Sequence, residues 1–385
     1  MDSLAKQNYR SELRELDWDF SGQVGNLGFA RYHWYPARFV PQVPGILIAY
    51  MTEPGQWVLD PFCGSGTTLI EARRQGRKAV GIDTNPIATM MTRSKLVSFA
   101  EDRYATYVAA LFQQAERLLI EDSARHGSSS TLLQSVPNLD EQMLWYHDRT
   151  LRELAAIWQA IAQGDHEFSE VAQAAFSAIL RFVCSQEKHW GWICDNVRPK
   201  DMIHRDAMSA FAAKLNEFAA FAREFPSGGS QPFEFAVHTD PCDKALRSYD
   251  DHTFDFVMTS PPYFGVTDYI RSQRLTFMWL DLDLNSARSL ETGARYKRHR
   301  RTALSDYIEE LRDSFREVAR VLKPKHHCAV VVGESPRRTS YVKEFEQLLA
   351  DSGLIIEERI ARQLPRQRAL SPQLLTERII LCRRG

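Results

Sequence analysis

The chain has 385 residues, 44% of them hydrophobic and 25% charged, a balance that excludes a disordered chain and suits one large domain with an insertion, or two domains. With 48 Lys and Arg against 49 Asp and Glu the net charge is −1, which excludes a uniformly basic surface, so any nucleic-acid contact must be concentrated locally. Basic residues do cluster, once over Arg295–Arg301 and again between Arg359 and Arg368.

In chain order, the first twenty residues are polar and acidic, without the apolar stretch of a signal peptide. The longest apolar runs, such as Ile46–Met51, are too short to span a bilayer, so a soluble cytoplasmic protein without membrane contact is expected. Trp57–Asp60 reads as a strand ending in an acid, followed by a glycine-rich turn and a helix from Thr67 to Ala72. Lys78–Asp83 is a second strand, and Asn85-Pro86 opens a helix with proline in its first turn. This βαβ unit predicts an α/β fold with a doubly wound, mostly parallel sheet. Residues 102–230 differ: helical spacing recurs through Tyr104–Glu121, Arg149–Ala162, Phe168–Gln186 and Ala207–Glu224, with breaks at His126–Ser130 and Pro226–Ser230. A helical insertion is predicted there, dividing the chain into 1–101, 102–230 and 231–385. Strand signals resume at Phe233–Val237, Thr253–Met258 and, after a helix over Ser305–Leu322, at Cys328–Gly333. Leu354–Glu358 and Glu377–Cys382 have no crossover-helix pattern between them, so they are expected to pair antiparallel at one edge.

Two motifs carry chemistry. In Asp60-Pro61-Phe62-Cys63-Gly64-Ser65-Gly66-Thr67-Thr68 the glycines let backbone approach a ligand, and the following helix N-terminus offers N–H groups to a carboxylate. The loop lacks the Lys-Ser/Thr of a phosphate cradle, so it fits ATP poorly. Asp83, 23 residues after Asp60 at the end of the next strand, is placed to accept two ribose hydroxyls. A plain tight turn with a capping acid is the bland alternative. The second motif, Ser260-Pro261-Pro262-Tyr263, directly follows a strand; two prolines stiffen the backbone and remove two donors, leaving carbonyls as acceptors. An amino group on a flipped-out base could donate to the Pro261 carbonyl and to Ser260 Oγ while Tyr263 stacks on the ring. Taken alone, Ser-Pro-Pro is equally a rigid turn.

Together these motifs resemble the amino-methyltransferase family of DNA methyltransferases. His33-Trp-Tyr35-Pro36-Ala-Arg-Phe39-Val-Pro41 is similar to the family's N-terminal element that caps the methionine end of the cofactor, and Tyr269–Leu280 is similar to its stretch behind the tetrapeptide. The resemblance covers about residues 31–95 and 233–335 and leaves the insertion unmatched. It implies a class I, Rossmann-like methyltransferase that uses S-adenosylmethionine, held by Tyr35, Pro36, Phe39, Asp60, Pro61, Phe62, Gly64, Ser65, Gly66, Thr67 and Asp83, with Asp240 at the adenine edge. It implies Ser260, Pro261, Pro262 and Tyr263 as catalytic residues that draw the conjugated amine toward tetrahedral geometry, without a covalent enzyme intermediate. Ser in the first position leans toward cytosine N4; adenine N6, an RNA substrate or a non-catalytic DNA-binding module remain the alternatives. Double-stranded DNA is the implied partner, in a bacterial setting shared with a restriction endonuclease, and oligomeric state is left open.

The remaining features divide between readings. Pro241-Cys242 could suggest a C5-cytosine nucleophile, but it precedes the strand that should carry the catalytic loop, so Cys242 is read as incidental. Cys184, His189 and Cys194 match no zinc spacing, and no metal is expected. Trp190 and Trp192 with Arg198 and Lys200 suit nucleic-acid stacking and phosphate contact, or equally a tryptophan seam that packs the insertion. Arg271, Arg274, Lys297, Arg298, Arg300 and Arg301 are candidates for phosphate contact near the active site, with a solvated basic surface as the alternative.

Overall fold

The computed structural model describes residues 9–20, 32–36, 40–124, 130–186, 198–225, 233–334, 339–363 and 376–385. Seven strands form one sheet: β1 Trp57–Asp60, β2 Lys78–Ile82, β3 Phe235–His238, β4 Phe254–Thr259, β5 Leu322–Glu334, β6 Leu354–Gln363 and β7 Thr376–Arg384, in the order β3-β2-β1-β4-β5-β7-β6. β1 to β5 run parallel, while β7 is antiparallel to both of its neighbours. This is the class I, Rossmann-like arrangement. β4 is buried at every position, as a central parallel strand covered on both faces must be, whereas β3 at the edge is only half-buried. The expected antiparallel pair forms, but β7 inserts between β5 and β6, so only β6 lies on the edge.

The chain winds outward from β1 to β3 and then returns to β4 beside β1. Strand order reverses at that point, and the carboxyl ends of β1 and β4 flank the crevice where ligands bind in open α/β sheets. Asn85 caps the helix Pro86–Leu96 by accepting from the Ile87 N–H, and Pro86 fills its first turn.

Between β2 and β3 the described residues are helical, with long helices at Glu101–Ala124, Asp148–Gln163, Ser169–Val183 and Ala207–Ala222. The helix expected to reach Gln186 stops at Val183, where Cys184 turns extended. This insertion is not a separate ball. Tyr104, Leu154, Phe176 and Phe218 share one core with Met91 of the helix Pro86–Leu96 and with Phe277 and Trp279 beyond the tetrapeptide. Phe176 meets Trp279 edge-on at 5.1 Å, which locks the insertion against the segment that follows β4. No helix among the described residues is long and apolar enough to cross a membrane.

Candidate active site

The glycine loop is built around buried Asp60, 1% exposed. Its carboxylate accepts from Thr68 Oγ1 at 2.6 Å, Thr259 Oγ1 at 2.8 Å and the Phe62 N–H at 3.2 Å, so it ties loop, helix and the end of β4 together. Burial pushes its carboxyl up to about 6 against these donors. Gly64 and Gly66 sit at φ of 49° and 84°, the left-handed region where a side chain is strained. The Gly64 N–H donates to Asp83 Oδ2 at 2.9 Å and the Asn85 N–H to Oδ1 at 2.8 Å, which orients Asp83 while burial raises it to about 6. Below the loop, Thr92 Oγ1 donates to the Gly64 carbonyl at 2.9 Å and buried Lys95 Nζ to the Ser65 carbonyl at 2.6 Å.

A cleft enclosing about 830 Å³ of empty space, its open mouth included, lies at this point between the strand ends. Of the residues expected to hold a cofactor, Tyr35, Pro36, Pro61, Phe62, Gly64, Ser65, Thr67, Asp83 and Asp240 line it. Asp60 and Gly66 do not; they shape the loop from behind, and Phe39 lies outside the described residues. The sequence reading missed Asn85, Tyr269, Glu291 and Thr292, which also line the cavity. Glu291 is 5% exposed; one carboxyl oxygen takes the Tyr269 N–H, and Oε2 has no partner. Burial pushes its carboxyl up to about 8. No local pattern marks Glu291 in the sequence, because its environment is made by the turn that carries Tyr269.

The tetrapeptide enters the same cavity. Ser260 and Pro262 line it, whereas Pro261 and Tyr263 do not. Ser260 Oγ donates to the Val331 carbonyl at 3.2 Å or to Tyr263 Oη at 3.3 Å. The expectation that Tyr263 stacks on a base needs correction: its ring is 5% exposed and its hydroxyl donates inward to Glu377 Oε1 at 2.8 Å. The aromatic surfaces on the wall are Phe62 and the stacked pair Tyr35–Tyr269, whose ring centres are 5.9 Å apart. The Pro262 carbonyl is occupied by the Tyr307 hydroxyl at 3.0 Å.

Among the described residues the lining carries the acids Asp83, Asp240 and Glu291 and no Lys or Arg. Three buried polar atoms of its lining residues, Ser65 Oγ, Asn85 Nδ2 and Glu291 Oε2, have no partner. Such a cavity suits a ligand that bears positive charge and presents several hydrogen-bonding groups. Cys242 is buried at its wall with the thiol pushed well above its usual range, which makes it a poor thiolate nucleophile.

The basic candidates are dispersed. Arg274 is paired with Glu141 of the insertion at 2.6 Å in the DNA-free chain. Lys297 pairs with Glu310 at 3.2 Å and Arg298 Nε donates to His299 at 3.0 Å. Arg271 is half-buried beside the site, and Arg198, Lys200, Arg300 and Arg301 are exposed. Trp190, Trp192, His189 and Cys194 lie outside the described residues, and no metal-ligand cluster occurs among the described ones.

Comparison with known proteins bears on this geometry. The family described as DNA methylase, of the N6/N4 class, matches residues 4–92. The type II methyltransferase M.MvaI of Kocuria varians is 25% identical over 66% of this chain, which spans 58% of that protein. M.MjaII of Methanocaldococcus jannaschii, also a type II methyltransferase, is 21% identical over 90% of this chain and 80% of its own. Among solved structures, an S-adenosylmethionine-dependent methyltransferase from Methanosarcina mazei aligns over 88% of this chain and 96% of its own, at 13% identity and a TM-score of 0.35.

Proposed function

We propose, on the premise that the chain belongs to the DNA amino-methyltransferase family as the matched family and the curated relatives support, that it methylates the exocyclic amino group of a base in double-stranded DNA, using S-adenosylmethionine. The observation that carries this reading is the meeting of the glycine loop, Asp83 and Ser260 on one cavity at the switch point. The residues fit the cofactor: the helix N-terminus at Thr67 suits its carboxylate, Asp83 its ribose hydroxyls, Asp240 its adenine edge, and the three-acid lining its net positive charge. Gly64 lies under Tyr35, where an added Cβ would come within 3.2 Å of the ring, and at φ 49° a side chain there is strained. When bound, S-adenosylmethionine supplies a methyl group on a sulfonium sulfur. Ser260 Oγ, on the cavity wall, accepts an amine hydrogen and draws the nitrogen lone pair out of conjugation.

The base is cytosine, modified at N4. Ser260 in the first position of the tetrapeptide supports this, by its resemblance to family members of that type. The insertion and the exposed Arg300 and Arg301 contact the duplex, and a restriction endonuclease of matching specificity is the biological counterpart. Digestion of treated DNA to nucleosides, followed by mass spectrometry, tests the assignment, with N4-methylcytosine as the expected product. N6-methyladenine alone would overturn the choice of base, and methylation confined to RNA the choice of substrate. No binding of S-adenosylmethionine in calorimetry would overturn the enzyme reading in favour of a DNA-binding module.

A further inference from the structure

Behind the cavity, Arg362 of β6 and Glu377 of β7 face one another at 2.9 Å, 1% and 6% exposed. Withdrawing both charges from water is costly, and an apolar pair of similar volume often serves stability as well or better. The pair is not even fully satisfied, since Arg362 Nε and Nη2 have no partner. Stability alone therefore does not account for it. What it does achieve is to favour the ionised form of Glu377 against burial and to keep its Oε1 pointed at the Tyr263 hydroxyl, 2.8 Å away.

The hydrogen bonds form a chain of one polarity. When its hydroxyl turns from the Val331 carbonyl, 3.2 Å away, Ser260 Oγ–H donates to Tyr263 Oη at 3.3 Å, and Tyr263 Oη–H donates to the Glu377 carboxylate. The chain begins at Ser260, on the cavity wall, and ends on a buried base. A hydroxyl that gives its hydrogen inward presents its lone pairs outward, to the site of the target amine. Amine methylation needs such an outlet, because the nitrogen carries a positive charge once its bond to carbon forms.

We propose that Glu377 is the terminal proton acceptor of the reaction, reached from the target amine through Ser260 and Tyr263. This rests on the methyltransferase reading above. The N–C bond forms as the S–C bond breaks, and the S–C electron pair stays on sulfur. The amine N–H proton passes to Ser260 Oγ, the serine hydrogen to Tyr263 Oη, and the tyrosine hydrogen to Glu377 Oε1, leaving a carboxylic acid beside Arg362. The same chain run backwards resets the site once product has left.

The groups facing Glu377 are Arg362 from β6, Tyr263 from the turn after β4, and Tyr341 of the helix Thr339–Asp351, which acts on it through Tyr263. Gly333, opposite Glu377 on β5, adds no charge. Burial holds Glu377 above the ordinary carboxylate range while the Arg362 guanidinium opposes the shift. Single-turnover methyl transfer to duplex DNA should therefore show an acid limb that reports Glu377 ionisation.

The test compares wild type, Tyr263→Phe and Glu377→Gln as full chains, measuring single-turnover rate against pH and S-adenosylmethionine affinity by calorimetry. Positioned proton transfer contributes about 10²–10⁴-fold, so both variants should fall by at least about 100-fold with cofactor affinity unchanged. Both should also lose the acid limb. A Tyr263→Phe rate close to wild type, or an acid limb persisting in Glu377→Gln, overturns the relay. Failure of wild type itself to methylate DNA overturns the methyltransferase reading instead. If Glu377→Gln does not fold because Arg362 loses its counter-charge, Tyr263→Phe, which keeps the ion pair, decides by rate and pH profile.

Discussion

Gly66→Ala isolates what the glycine loop requires. Gly66 caps the helix Thr67–Arg74 at φ 84°, and a Cβ there would stand 2.8 Å from both Thr92 Cγ2 and Thr92 Oγ1. Two costs follow. Holding an L-residue in the left-handed region costs about 1–2 kcal/mol. Moving Thr92 aside breaks its hydrogen bond to the Gly64 carbonyl, a further ~1 kcal/mol. The expected loss is about 2–3 kcal/mol of unfolding free energy, read from urea denaturation with an unchanged slope. S-adenosylmethionine affinity should fall in parallel, about tenfold for each 1.4 kcal/mol of loop distortion. Repeating Gly66→Ala in a Thr92→Ala background separates the costs. With Cγ2 and Oγ1 gone, leaving only the residue-92 Cβ at 3.1 Å, the cost should shrink toward the backbone strain of about 1–2 kcal/mol. If Gly66→Ala costs the same in both backgrounds, Thr92 is not what excludes a side chain, and the close-approach argument fails.

Three further expectations come from the same site. Lys95→Met removes the buried donor to the Ser65 carbonyl and should weaken cofactor binding by about 1–3 kcal/mol in calorimetry, while DNA affinity measured without cofactor stays unchanged. Because Asp60 and Asp83 are raised to about 6 and Glu291 to about 8, the folded chain retains protons that the unfolded chain has released. Ligand-free stability should then decline as pH rises from the ordinary carboxylate range to about 8, and Glu291→Gln should remove ~1–2 kcal/mol of that decline between about pH 6 and 8; denaturation midpoints that still drop as steeply in the variant would refute it. In DNA-binding titrations over salt, Arg300→Ala and Arg301→Ala should each reduce the log–log slope by about 1, whereas Arg274→Ala, already bound to Glu141, should leave it unaltered.

The sheet was largely legible because its signals are local. Short apolar runs such as Trp57–Asp60 and Thr253–Met258 end in turn residues, and the glycine loop with Asp83 lies within one βαβ unit. Placement of β7 was less legible: an antiparallel pair follows from the absent crossover helix, but its insertion beside β5 depends on which edge the strands bury. The direction of Tyr263 was not legible at all. An aromatic after two prolines suggests a stacking face, yet its hydroxyl is claimed by Glu377, 114 residues later, on a strand that reads as ordinary edge pattern. Glu291 was invisible for the same reason, since only the tertiary approach of Tyr269 and the cavity gives its carboxyl a role.

The raised carboxyls also link folding to ligand binding. A cavity with Asp83 and Glu291 on its wall, and no cationic side chain among its described lining residues, holds two acids whose ionisation burial penalises. A cationic ligand reverses that penalty, because each ionised carboxylate gains the attraction it lacks when the cavity is empty. Binding should therefore release part of the cost carried by the free chain, in addition to the mass-action term of RT ln(1 + [L]/Kd). It follows that S-adenosylmethionine should stabilise the fold more at pH 8 than at pH 6, since more of the acids would otherwise be ionised without a partner. The uncharged-sulfur product S-adenosylhomocysteine, matched in every other group, should show the smaller pH dependence, and that difference measures how far the acids respond to the sulfonium charge.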